Sequence, residues 1–155
     1  MPTLRYDDLP ALRGLIRPEF GPWSPPVTVS RAMIEQFAEM TGDRQWIHVD
    51  MERARRESPL GTTIAHGFLI LALSTMLKNS IGVAITGQGD ALNYGLDRVR
   101  FLRPLPADSQ VHGRTRLTDV TVRENGTLLT QSVAIHAVGQ EQPSVIFDWK
   151  ILYRP

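Results

Sequence analysis

The chain of 155 residues has no cysteine. That excludes disulfide staples, thiol nucleophiles and thiolate-held metals, and it fits a reducing, cytoplasmic setting. Long apolar runs are also missing. The longest, Phe68 to Leu73, is far short of the roughly 20 residues of a membrane span. The N-terminus carries Asp7 and Asp8 where a secretory leader needs an apolar core. Asn125-Gly126-Thr127, a glycosylation triplet in form, therefore reads as a hairpin turn. Charge of one sign is lacking too: 17 basic residues face 16 acidic ones, a net charge of +1 that marks no nucleic-acid binder. A local basic pocket for a phosphorylated ligand remains compatible with that balance. Repeats and low-complexity segments are absent. What is present, 42% hydrophobic and 21% charged residues, suits one compact domain over residues 1–155.

Pro22 to Pro26 breaks the pattern and ends an N-terminal arm. Val27-Thr28-Val29 reads as a short strand, and Ser30 as the N-cap of a helix whose apolar residues Met33, Ile34, Phe37 and Ala38 recur at helical spacing. Gly42 suits the C-cap. A second helix is expected from about Gly67 to Leu77, apolar nearly all round and so buried on most sides. The remainder reads as strands. Asp97, Val99 and Phe101 are expected on one face, and Leu129, Val133, Ile135 and Ala137 on another. Val145, Phe147, Trp149, Ile151 and Tyr153 form the clearest period-2 stripe. Asn125-Gly126 is the strongest hairpin signal. Helices followed by antiparallel strands predict an α+β domain.

The segment Gly42-Asp43-Arg44-Gln45-Trp46-Ile47-His48 carries the chemistry. An aspartate and a histidine converging from one loop can hold a water molecule and exchange protons with it near neutral pH. Without further context, Asp43 as a capping residue and His48 as a surface histidine explain the same pair.

The segment resembles the hydratase motif Gly-Asp-x-Asn-Pro-(aliphatic)-His of the MaoC-like family, the (R)-specific enoyl-CoA hydratases. Gly42, Asp43, Ile47 and His48 match; Gln45 and Trp46 stand where the family has asparagine and proline. Ile64-Ala65-His66-Gly67-Phe68 is similar to the (aliphatic)-x-His-Gly start of the family's central helix. The two segments in this order are more specific than either alone. The resemblance implies a hot-dog fold, a long central helix wrapped by a curved antiparallel sheet. It implies reversible hydration of trans-2-enoyl-CoA to (R)-3-hydroxyacyl-CoA in fatty acid metabolism, by a homodimer. Asp43 and His48 would handle water and proton, the Gly67 N–H would stabilise the thioester oxygen, and Gln45 would orient the loop. His66 is read as a hydrogen-bonded structural histidine. No metal or redox cofactor is implied, and coenzyme A is part of the substrate.

Three rivals share the fold: an acyl-CoA thioesterase, a non-catalytic acyl-CoA-binding or partner subunit, and a dehydratase acting on a carrier-bound chain. Asp43, His48, Asp50 and His66 are also residue types of a zinc or iron site, although no His-x-x-x-His motif is present. Gly87-Gln88-Gly89 is too short for a dinucleotide fingerprint. Arg98, Arg100 and Arg103 suit phosphate geometry, but alternating arginines also make an ordinary solvated strand face.

Overall fold

A computed structural model describes residues 1–77 and 81–155. Strand β1 (Thr3–Arg5) leads to helix α1 (Leu9–Arg13), and strand β2 (Val27–Val29) follows the proline-rich arm. Ser30 then accepts a hydrogen bond from Met33 N at 3.2 Å and opens helix α2 (Arg31–Thr41), the work of an N-cap serine. The helix ends at Gly42, whose φ of 78° lies in the left-handed region that glycine enters without a side-chain clash. Two short helices follow, α3 (Trp46–Val49) and α4 (Met51–Glu57), the latter capped by Asp50. Helix α5 (Gly67–Ala72) precedes β3 (Ala84–Thr86) and four long strands, β4 (Asp90–Phe101), β5 (Ser109–Arg123), β6 (Gly126–Ala137) and β7 (Val145–Arg154).

The five-stranded antiparallel sheet has the order β2-β5-β6-β7-β4, and β1 pairs with β3 separately. On its inner face Val111, Val133, Ile135, Val145 and Phe147 pack against Leu69, Ile70, Leu73 and Leu77. A second apolar cluster, built on Leu12, Ile81, Leu117, Val120 and Leu129, brings α1 against β5 and β6.

Three expectations are corrected. The long central helix is short: α5 has six residues and passes into a 3₁₀ turn at Leu73–Thr75. Thr75 Oγ1 donates to the Ala72 carbonyl at 3.2 Å, a local bond of the kind that competes with helix propagation. Its burial is uneven, with Phe68 67% exposed and Met76 54%. In β4, register shifts at Asn93/Gly95 and Asp97/Arg100, with Arg98 at φ 53°, break the expected alternation. A bulge adds a residue to one strand and re-aims the side chains beyond it. The hairpin between β5 and β6 pairs Arg123 with Gly126, so its two-residue loop is Glu124-Asn125, one position earlier than expected.

The outer face of the sheet carries His112, Arg114 and Arg116 on β5, beside His136 and Ser132 on β6. The arm closes over it: Gly21 N donates to Thr115 O and Ser24 N to Gly113 O, both at 2.8 Å. This sets Trp23 against His112, ring centroids 3.9 Å apart.

Candidate active site

Three backbone features converge on one place. The left-handed turn at Gly42 ends α2 and releases Asp43 into a loop. The short helix α3 presents His48, which is 7% exposed. Helix α5 begins at Gly67, next to His66. The segment leading into α5 is pinned by Ile64 N to Ile47 O at 2.9 Å and Ala65 N to Leu105 O at 2.8 Å.

Hydrogen bonds settle both histidine tautomers. A carbonyl oxygen can only accept, so His48 Nδ1 donates to Ile64 O at 2.8 Å. This leaves the His48 Nε2 lone pair free in the neutral ring. His66 Nε2 donates to the Asp43 carbonyl at 2.9 Å. The two imidazoles stack at 3.8 Å between centroids. His66 thus ties the start of α5 to the Asp43 loop and braces His48, while its own Nδ1 is buried without a partner. Burial pushes the His48 imidazole below its ordinary value and His66 adds to this, while the Ile64 carbonyl and Asp43 oppose it. His48 is therefore neutral at pH 7, with its Nε2 lone pair able to accept a proton.

A carboxylate oxygen of Asp43 and ring nitrogens of His48 and His66 all lie within 4.8 Å of one another. That spacing accommodates one small polar species held between them, a water molecule above all. The same donors suit a metal ion in type, with Asp43, His48 and His66 as its holders.

The cavity beside these groups, about 210 Å³, is walled by His48, Gly67, Phe101 and Arg103, among others. Gly67 opens α5, where the first amides of a helix lack intrahelical partners and the dipole is positive. A Cβ built on Gly67 would stand 2.7 Å from the Phe101 ring. Glycine is therefore what lets the ring and the helix start close the cavity together.

The structure thus brings Asp43, His48 and Gly67 together. Gln45 enters differently. Its carbonyl accepts from His48 N at 2.9 Å, while its exposed side chain makes no cap bond. Trp46, in the position of the motif's proline, packs under the Arg53 guanidinium at 4.4 Å. Sequence reasoning missed Phe101, because the β4 bulge that turns it onto Gly67 leaves no local signature. It also missed the stacking of His66 on His48, which follows from contacts across the loop. Of the arginines near Pro104, Arg98 pairs with Asp148 and Arg103 walls the cavity.

Comparison with known proteins bears on family and fold. Residues 21–138 match the family model for the MaoC like domain. Nodulation protein N of Rhizobium meliloti (strain 1021) is 42% identical over 124 residues, 79% of this chain and 77% of that protein. The 3-hydroxyacyl-thioester dehydratase Z of Mycobacterium tuberculosis (strain CDC 1551 / Oshkosh) is 41% identical over 128 residues, 82% of this chain and 83% of that protein. Among solved structures, the unliganded R-hydratase PhaJ1 from Pseudomonas aeruginosa superposes with a TM-score of 0.68 at 20% identity, covering 88% of this chain and 82% of that one. At that identity the likeness speaks for the fold.

Proposed function

Because the chain belongs to the MaoC-like dehydratase family and is a hydro-lyase on a hot-dog fold, we propose that it is an (R)-specific enoyl-CoA hydratase. It would reversibly convert trans-2-enoyl-CoA to (R)-3-hydroxyacyl-CoA as a single domain, in the cytoplasm. One observation carries the reading: the Asp43 carboxylate and the His48 imidazole close on one space, with the His48 proton committed to Ile64 and its Nε2 lone pair free.

Water held between Asp43 and His48 attacks the β-carbon of the enoyl thioester. The pair takes one proton from that water as its oxygen bonds to Cβ, and returns one to Cα. Addition of H and OH across the double bond is then complete, with no redox partner. Negative charge gathers on the thioester oxygen in between, and the Gly67 N–H, in the unpaired first turn of α5, would stabilise it. Gln45 acts through its carbonyl, which holds His48 N–H and hence the loop. Both proton transfers are available to these side chains without a metal.

The homodimer is part of the proposal. β4 is an edge strand with Leu92, Tyr94 and Leu96 exposed, and Phe68 and Met76 of the α5 segment are exposed as well. An unpaired edge with apolar side chains invites a second copy of the same strand.

The test follows loss of enoyl absorbance with crotonyl-CoA and a longer enoyl-CoA, with free thiol monitored in parallel. Wild type should consume the enoyl group without releasing thiol, before and after dialysis against a chelator. Folded Asp43→Asn and His48→Gln should each be slower by about 10²-fold or more. Thiol release would make the protein a thioesterase. An unchanged rate in both variants would remove the pair from the mechanism.

A further inference from the structure

We propose that Asp148, on the outer face of the sheet, is a positioning residue for the site on the inner face: it holds Arg98 in the bulge that turns Phe101 onto Gly67. The proposal rests on the hydratase reading above and adds what fixes one wall of that site.

Strand pairing shows what the bulge does. Residues paired across neighbouring strands point to the same face, and successive residues of a strand alternate between faces. Asp97 pairs with Asp148, and Phe101 with Val145. Asp148 and Val145 therefore point to opposite faces of β7, and Val145 is the one that joins the core. In a regular strand Asp97 and Phe101 would share a face. They do not, because β4 runs from Asp97 to Arg100 while β7 runs only from Asp148 to Ile146, which leaves one extra residue in β4. That residue moves Phe101 from the outer face to the inner one. There its ring stands against Gly67 and walls the cavity at His48.

The bulge is held on one strained residue. Arg98 has φ 53°, in the left-handed region that a residue with a side chain enters only at a cost. Such a conformation persists where the surroundings fix it. Here the fixing contact is Asp148. Its Oδ2 accepts from Arg98 Nε at 2.6 Å and lies 2.5 Å from Nη2, while its Oδ1 accepts from Ser132 Oγ at 2.8 Å. An exposed ion pair would contribute little, but the Asp148 side chain is only 11% exposed. With both oxygens occupied, the carboxylate is held by β6 and holds Arg98 in turn. Arg116 walls the same recess, yet its guanidinium donates to the Pro18 carbonyl. The Phe101 ring excludes water beside the first amides of α5, where charge gathers during the reaction. A contribution of that kind appears in kcat rather than in KM.

Arg98→Gly and Arg98→Ala separate backbone from charge. Both remove the guanidinium, and only glycine takes this φ without strain. Arg98→Gly should therefore hydrate crotonyl-CoA with a kcat roughly ten-fold above that of Arg98→Ala. Asp148→Ala should lower kcat with little change in KM, and adding Arg98→Gly to it should recover most of the loss. In a Phe101→Ala background Asp148→Ala should have no further effect, since the two act through one ring. Nuclear Overhauser contacts between the Phe101 ring and Gly67 read the wall without turnover. They should be present in wild type and Arg98→Gly, and lost in Arg98→Ala and Asp148→Ala. Equal rates and equal contacts in the two Arg98 variants overturn the clamp, even where Asp148→Ala fails to fold. So does an undiminished loss from Asp148→Ala in the Phe101→Ala background, which would mark a structural role only. The expected contacts without hydration by wild type would overturn the hydratase reading and leave the clamp standing.

Discussion

The Ile64 carbonyl decides which nitrogen of His48 can act, and His66 decides how that ring is braced. These are single-residue arrangements, and their consequences are too. With His48 held below its ordinary value of 6.5 by burial, the acid limb of the hydration rate should fall below that pH rather than above it. An acid limb near pH 8 would contradict a neutral His48. Gly67 is the other sensitive position. Gly67→Ala should lower turnover, because its Cβ meets Phe101 at 2.7 Å. The Gly67→Ala/Phe101→Ala pair should recover part of the loss if ring displacement is the cause. No recovery would mean that the methyl itself blocks the amide. Asp43 and His48 were legible as a pair from residue type and spacing. Phe101 was not, since its place depends on a bulge that follows from pairing with β7.

At the scale of elements, caps and turns were the most readable features. Ser30 and Gly42 delimit α2 as their chemistry requires. The hairpin at Asn125-Gly126 was legible as a turn, but its register was not. Gly126 sits at φ 151°, and a Cβ there would run into the Tyr153 carbonyl of β7. It is a residue of close strand approach as much as of the turn. Gly126→Ala should therefore destabilise the fold by about 1–3 kcal/mol, as backbone strain of this kind does. Asn125→Ala should cost less, and thermal melts of the two compare them directly. Equal melting temperatures would make the glycine a turn residue only. Helix α5 shows the opposite failing of sequence reading. Apolar residues nearly all round Gly67–Leu77 implied burial on most sides, yet Phe68 and Met76 are exposed.

For the whole molecule, that exposed edge argues for association. Wild type should sediment as a dimer, and Leu96→Lys on β4 should shift it toward monomer with its secondary structure kept. A wild-type monomer at working concentrations would refute the paired-edge arrangement. Acid stability is also a global property. His48, His112 and His136 all lie below the ordinary histidine value, with burial as the largest cause. Below about pH 6.5 the unfolded chain binds protons that the folded one resists, so stability falls as pH drops through that window. Above it, both states are neutral at these sites and contribute no further change. The melting temperature should decline from pH 7 to pH 5.5, and the triple variant with glutamine at all three positions should flatten that slope.

Local chemistry was written into the chain itself. The N-cap at Ser30, the left-handed stop at Gly42, the strand periodicity of residues 145–153 and the Asp43/His48 motif all depend on near neighbours, and near neighbours are what a sequence displays. Tertiary structure decided the rest. It shortened α5, bulged β4, turned Phe101 onto Gly67, stacked His66 on His48 and set Trp23 against His112. Each of these joins residues far apart in the chain through pairing register or side-chain packing. Those terms depend on which surfaces meet, and the surfaces exist only once the sheet has closed around the helix.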